Sequence, residues 1–424
     1  MSEQGTQVTR RRVFHIPGYD PIHPRRYREL YRTESAAQAQ VSGYDIAISA
    51  RGDAETFNWG VTARIDDVDV AARVDVLVWS DIVRDSMAQS IPATYLQLLR
   101  TAWLYLSTGT LRRLMWMRKG PVIAALYPVG MLLLQLLVAL VLGWAVGSAV
   151  AGALHWVLAL TGLTGGIVAS VVGWLALVLK YALWGAVLVV VLRWFKSKDH
   201  KLFAYYLMHD YAFSAGARGA NPPALESRIR QFTDRIAEAF SGSVDEVLVV
   251  GHSSGAHLAI SVLADLIRQG RVPADGPKLA LLTLGHVVPM VSFLPRAQRL
   301  RSDLAFLAAS DALTWVDVSA PGDGCCFALC DPVAVTGVTP PGKHWPLIIS
   351  AAFTQTLSPA RWKALRWRFF RLHFQYLCAF DQPGDYDYFQ ITAGPLTLAE
   401  RYRDRQPSKS RIDVPVSKYT SLLP

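Results

Sequence analysis

Near the middle of the chain Gly251-His252-Ser253-Ser254-Gly255 places a serine in the spacing Gly-x-Ser-x-Gly. By composition the spacing alone is weak, since with Gly and Ser each near 7% about one chain of this length in seven carries it by chance. Its setting strengthens it. DEVLVV, just before, reads as a buried strand, and SGAHLAISVL, just after, as the start of a helix. A turn that sharp leaves no room for side chains at the two glycines, and it projects the Ser253 hydroxyl at the carboxyl edge of a sheet. The chemistry open to such a serine is nucleophilic attack on an acyl carbon. A hydroxyl is a poor nucleophile until a base takes its proton, so a histidine and an orienting carboxylate are needed.

The motif in this setting resembles the α/β-hydrolase superfamily, particularly its lipase and esterase branches. The resemblance covers the polar parts of the chain, about four-fifths of it. It implies the chain order serine, acid, histidine. His257 precedes every candidate acid and is expected on a helix surface, while His286 ends a strand but comes too early. His373, in RFFRLHFQYLCAF, is therefore the expected base, with His344, in PPGKHWPL, as the alternative. His373 is followed by Tyr376, and this HxxY looks like patterns around the late histidine of some esterases. For the acid, LTWVDVSAPGDG reads as a strand running into a loop, with Asp323 where the loop emerges. Asp331, in CDPVAVTG, is the alternative acid or an Asp-Pro turn. Asp317 lies inside the strand and is expected to face solvent or a neighbouring strand.

Acyl transfer also needs donors for the developing oxyanion. The resemblance implies the backbone amide of Ser254 as one donor. The other is expected from an early strand-to-helix loop, and HIPGYD, residues His15 to Asp20, looks like the His-Gly loops of lipases, with the amide of Gly18 or Tyr19 donating. It departs from them in having one glycine rather than a run. His15 itself is expected to support the loop. No metal or organic cofactor is needed for this chemistry. CCFALC lacks CxxC spacing, so Cys325, Cys326, Cys330 and Cys378 are expected as reduced, buried residues rather than metal ligands.

The elements that must position these groups follow an α/β pattern. RRRVFHI reads as a strand, PRRYRELYRTESAAQAQ as a helix, and YDIAISARG, TFNWGVTARI and VDVLVWSDIVRD as three β-rich runs. ALESRIRQFTDRIAEAF then reads as a helix before the DEVLVV strand, and KLALLTLGH and LTWVDVSAP as later strands. This alternation predicts a mostly parallel sheet flanked by helices.

Between the two halves, Pro121 to Leu179 contains no Asp, Glu, Lys or Arg. A helix needs about 20 apolar residues to cross a bilayer, so two spans are expected, about Pro121–Gly147 and Ile167–Trp194, joined by a turn within AGALHWVLALTGLTGG. The expected division is 1–118, the first part of a hydrolase-like domain; 119–196, an inserted transmembrane hairpin; and 197–424, the rest of that domain. An oxyanion loop before the insertion and a nucleophile after it require an even number of crossings. Arg112, Arg113, Arg118 and Lys119 precede the hairpin, and Arg193, Lys196, Lys198 and Lys201 follow it, which sets both ends in the cytoplasm. Trp103, Trp116, Trp194 and Phe195 beside them suit the headgroup region. Lys180 interrupts the second span, at a cost of about 2.5–3.5 kcal/mol on insertion scales, and Gln135 or snorkelling is its expected relief.

The polar opening residues lack an early apolar segment, so no secretory signal is expected. The net charge of +10 gathers at the hairpin and in SPARWKALRWRFFRLHFQYL rather than in a nucleic-acid module. That segment is expected either on the bilayer surface or as a domain helix with a basic edge, and anionic lipid is the expected partner. The expectation is an integral protein of an inner or plasma membrane with its catalytic part on the cytoplasmic side. Its expected activity is cleavage of carboxylic, lipidic esters by Ser253, His373 and Asp323. The alternatives are an acyltransferase on the same fold and a non-catalytic membrane-bound scaffold.

Overall fold

Alternating runs of apolar residues in the polar parts of the chain become eight strands of one sheet. In the computed structural model these are β1 (Arg10–Ile16), β2 (Asp45–Ala50), β3 (Phe57–Ile65), β4 (Val68–Val76), β5 (Glu246–His252), β6 (Lys278–Leu284), β7 (Thr314–Ser319) and β8 (Leu347–Ser350). The structure describes residues 7–50, 57–87, 89–162 and 165–423. Residues 1–6, 51–52 and 56 at the ends of two expected β-rich runs, and 163–164 in the expected turn, lie outside them. The spatial order is β2-β3-β4-β1-β5-β6-β7-β8. β4, β1, β5, β6, β7 and β8 run parallel, and β3 is antiparallel to both of its neighbours. The protein is thus an α/β protein with a mixed, mostly parallel sheet.

β5 is buried along its whole length, as expected for a central parallel strand covered on both faces. Leu248 and Val250 join a core with Tyr31, Phe380 and Phe389 from α1 (Arg25–Ser42) and the C-terminal segments. On the sheet's other side the helix Gly255–Arg268 buries Leu258, Ile260, Val262, Leu263 and Leu266, each worth about 1.5–3 kcal/mol of transfer free energy. The third β-rich run divides differently from expectation. β4 ends at Val76, and SDIVRDSM forms α2 (Ser80–Met87), with Asp81 in its first turn. β3 and β4 are joined by Asp66 and Asp67, both at positive φ, a two-residue turn whose twist suits an antiparallel pair.

β1 precedes the apolar insertion and β5 follows it, and the two pair directly, Val13 with Leu248 and Ile16 with Gly251. The insertion therefore interrupts a single sheet. If its helices cross a membrane, they return the chain to the side it left.

Helices α3 (Ile91–Ser107) and α4 (Thr110–Met117) lead to α5 (Lys119–Leu160) and α6 (Gly166–Ser197). The last two are long and apolar enough to cross a membrane, with only 22% and 11% of their most apolar windows buried. A core helix of a soluble domain would bury most of such a window. α5 runs thirteen residues past the expected end at Gly147, because AGALHWVLAL offers good helix formers and no break before Thr161-Gly162. Gly143 and Gly147 let the two helices approach antiparallel. A Cβ at Gly143 would lie 2.8 Å from Trp184 Cδ1, and one at Gly147 2.5 Å from the Lys180 carbonyl oxygen. Small residues four apart are what allows two helix backbones to come this close.

The chain divides into two compact units. One comprises Met1–Ser86, Trp103–Ala124 and Phe213–Pro424, the other Met87–Ala102 and Ala125–Ala212. The second extends beyond the expected 119–196 at its far end and takes in the first part of α3, because Leu98, Leu132, Tyr205 and Met208 form a core of their own. In the first unit Arg113 and Arg118 donate to the carbonyl oxygens of Val416 and Ala328.

Candidate active site

Parallel strands bring their carboxyl ends to one edge, and there β1 runs into HIPGYD, β5 into Ser253, β6 into Gly285 and β7 toward Asp323. In open α/β sheets this edge is where ligands bind. Ser253 sits between β5 and the helix Gly255–Arg268 at φ +57°, in the left-handed region. Its amide donates to the Leu284 carbonyl, 2.9 Å away, which ties the strained turn to β6. Close approach explains the motif's glycines. A Cβ at Gly255 would strike the carbonyl oxygens of Ile16 and Pro17, and one at Gly251 would lie 2.7 Å from Ala256 Cα.

The loop after β1 lies against this turn. A Cβ at Gly18 would be 2.9 Å from Ser253 Cβ. The loop is held by Trp79 Nε1 donating to the Pro17 carbonyl (2.9 Å) and by Tyr27 Oη donating to Asp20 (2.8 Å). The Ser254 hydroxyl accepts from the Tyr19 amide at 2.8 Å. Of the two expected loop donors, Tyr19 is thus already engaged, which leaves Gly18 beside the serine. His15 is buried, its ring 5.0 Å from that of Tyr27, and both ring nitrogens lack a partner among the described residues. Burial pushes its pKa down to about 3, so the ring is neutral.

His373 ends the short helix Phe369–His373, with Nδ1 2.7 Å from Asp323 Oδ2. The same oxygen accepts from Tyr376 Oη at 3.1 Å, while Asp323 Oδ1 accepts from the Cys325 amide at 2.9 Å. Tyr376 Oη in turn accepts from the Ala320 amide (3.0 Å), closing a buried network. Burial alone would raise the Asp323 carboxyl, but the charge and hydrogen bond of His373 and the further donors outweigh it and hold the carboxyl below the usual range. His373 Nε2 is buried and has no hydrogen-bond partner among the described residues, Ser253 included. The ring nonetheless lies beside the serine turn. A Cβ at Gly285, next to the residue that Ser253 bonds, would be 3.1 Å from His373 Cε1. His252 Nε2 reaches the His373 carbonyl oxygen at 3.0 Å, with the two rings 4.8 Å apart.

The alternative residues lie elsewhere in the bond network. Asp331 caps the helix Pro332–Thr336 by accepting from the Val333 and Ala334 amides, and it pairs with Lys343. His344 is half exposed, 3.5 Å from Asp311. Asp317 is fully buried and, of its two expected placements, takes the one against a neighbouring strand, where it accepts from Thr283 Oγ1 of β6 at 2.6 Å; burial raises its carboxyl. His257 is buried too, against the expectation of a helix surface, since the helix Gly255–Arg268 is covered around most of its circumference; burial takes its pKa to about 4. The contributions of His252 and the Ser254 hydroxyl carry no spacing signal, because their partners lie 121 and 235 residues away.

Asp323, Cys325 and His373 place three possible ligand atoms within 4.8 Å of one another. Burial first, then the Asp323 charge, pushes the Cys325 thiol well above its usual range. Cys326 and Cys330 are buried, as expected, whereas Cys325 and Cys378 are only partly buried, and all four cysteines are free.

SPARWKALRWRFFRLHFQYL is not one surface helix. It breaks into Pro359–Leu365, Phe369–His373 and a 3₁₀ turn, Gln375–Leu377. Trp362 covers Gly322 and Phe369 covers Gly324 on the loop that carries Asp323, while Trp367 is 73% exposed. Gly120, at the start of α5, meets Gly324 from another direction, a Cβ there lying 3.4 Å from Gly324 Cα. No family model, no curated protein and no solved structure matches the chain.

Proposed function

We propose that the chain is a membrane-anchored serine hydrolase of the α/β-hydrolase kind that cleaves carboxylic esters, lipidic ones in particular, through an acyl-enzyme. The observation that carries this reading is the His373 ring, bound through Nδ1 to Asp323 and unpartnered at Nε2 among the described residues, beside a serine at positive φ. Ser253 Oγ attacks the ester carbonyl and its proton passes to His373 Nε2. Nδ1–H remains on Asp323, whose carboxylate fixes the tautomer and stabilises the imidazolium. The amides of Ser254 and Gly18 receive the oxyanion. Collapse of the tetrahedral intermediate expels the alcohol, which takes the proton from Nε2. Water then repeats the sequence on the acyl-enzyme and releases the acid. No metal or organic cofactor takes part.

A lipidic ester is favoured by the contact of Gly120 with the acid loop, which sets the start of an apolar helix next to Asp323, and by exposed Trp367 and Phe369 among Arg366, Arg368 and Arg371. Aromatic and cationic side chains together suit an anionic headgroup layer. The cations flanking α5 and α6 favour the cytoplasmic face of an inner or plasma membrane.

The test is hydrolysis of fatty-acyl esters by the full chain in detergent, with folding followed by circular dichroism. Ser253→Ala and His373→Ala are expected to lower kcat by about 10⁴-fold or more and Asp323→Asn by about 10⁴-fold, while Asp331→Asn and His344→Ala stay near wild type. Retained activity in folded His373→Ala would overturn the assignment of the base. Transfer of the acyl group to an alcohol in preference to water would make the protein an acyltransferase instead.

A further inference from the structure

Lys180 is the one Lys, Arg, Asp or Glu between Lys119 and Arg193, and it stands in the middle of α6. Its position among apolar residues calls for a partner, since a cation in hydrocarbon is costly and marks a site by default. The expected relief by Gln135 does not occur. Lys180 packs opposite Gly147, twelve residues or about 18 Å along α5 from Gln135, whose own amide atoms are buried without partners among the described residues. Snorkelling is no better served, because Gly166 at one end of α6 and Arg193 near the other each lie about 20 Å away along the helix, several times the reach of a lysine stem. What Lys180 does meet is Trp144, with Nζ 5.6 Å from the ring centroid. Around it Leu140, Val141, Trp144, Tyr181 and Trp184 line a groove of about 490 Å³ between the two helices. Trp184 is fixed there by donating Nε1–H to the Leu140 carbonyl at 3.1 Å.

An apolar groove of that size with one cation and no acid matches a single acyl chain that ends in a negative charge. We propose that this groove binds a free long-chain fatty acid, its carboxylate on Lys180 and its chain along Trp144, Leu140 and Trp184. A phospholipid fits less well, since its phosphate would have to leave the headgroup layer for the middle of the hydrocarbon. A carboxylic acid reaches that depth in its neutral form. Release of its proton to water leaves a carboxylate that pairs with the Lys180 cation, and the pair carries no net charge. The site is independent of Ser253, although the ligand is the acid that the proposed ester cleavage releases.

The experiment uses the full chain carrying Ser253→Ala, so that turnover plays no part, in phosphatidylcholine nanodiscs. The probe is palmitate bearing a diazirine near its carboxyl end, with crosslinked peptides mapped by mass spectrometry. Saturable labelling of the 140–144 and 180–184 segments is expected, displaced by unlabelled palmitate. Lys180→Met should weaken it by about tenfold or more, whereas Lys180→Arg should keep it. Equal labelling of Lys180→Met, or saturable labelling by the methyl ester of the same probe, would overturn the proposal, as would displacement by phosphatidic acid in preference to palmitate. Because the nucleophile is absent throughout, failure here leaves the hydrolase reading untouched, and loss of hydrolase activity would leave this site untouched.

Discussion

His252 Nε2 lies 3.0 Å from the carbonyl oxygen of His373, so the residue before the serine holds the backbone of the histidine that pairs with Asp323. Burial, and after it the charge of His373, keeps the His252 pKa well below its usual value, and the neutral ring donates Nε2–H. The end of β5 and the helix Phe369–His373 are thereby fastened to each other beside Ser253, where the proposed mechanism passes a proton. Removing this donor should displace the base by a fraction of an ångström while leaving the rest of the site intact. His252→Ala is expected to lower kcat about 10–100-fold with little change in KM, and His252→Gln, which keeps a donor, should recover part of the loss. Steady-state kinetics on the two variants check this, and equal defects in both would refute a hydrogen-bonding role.

Tyr376 Oη donates to Asp323 and accepts from the Ala320 amide, both fully inside the protein. Tyr376→Phe removes a hydrogen bond to a carboxylate and leaves a buried amide unpaired, a loss of about 1–3 kcal/mol. Denaturant unfolding of the full chain in detergent should show a lower midpoint with an unchanged slope. An unchanged midpoint would mean that water replaces the hydroxyl without cost.

His15 and His257 are buried, with pKa values pushed by burial to about 3 and about 4. An imidazole in the unfolded chain takes its proton near pH 6.5, so the unfolded state binds more protons below that pH. The stability these residues contribute is complete above about pH 6.5 and is lost as pH falls toward 4 and then 3, at about 1.4 kcal/mol per pH unit for each. Asp323 acts in a lower window. Its carboxyl is held below the usual range, so its contribution persists until the pH falls beneath the ordinary carboxylate value. Thermal unfolding between pH 7 and 4 should show a falling midpoint, with a smaller slope in His257→Gln. A flat profile would contradict the buried neutral rings.

Much of this arrangement is legible along the chain where a single local pattern decides the structure. The apolar run of β5, the glycines around Ser253 and the helix after them all point one way, and the residues brought together at the sheet edge include the expected His373 and Asp323. Legibility fails where tertiary context decides. The sequence places His257 on a surface because a helix usually has one, but the helix Gly255–Arg268 is buried between β5 and its neighbouring helices. Hydropathy sees the apolar content of residues 148–160 yet cannot tell a loose turn from a continuing helix, and α5 continues. The β3–β4 turn is built from two aspartates instead of the more usual glycine pairs. The engagement of the Tyr19 amide by Ser254 joins segments far apart in sequence, and no periodicity reports such a contact.

The proposed ester cleavage requires that Ser253 be a nucleophile activated by His373. Fluorophosphonate labelling of the folded full chain, with the modified peptide mapped by mass spectrometry, addresses this most directly. The adduct is expected on Ser253 alone, absent from Ser253→Ala and slowed by about 10³-fold or more in His373→Ala. Folded wild-type protein that remains unlabelled, or labelling at a different serine, would contradict it.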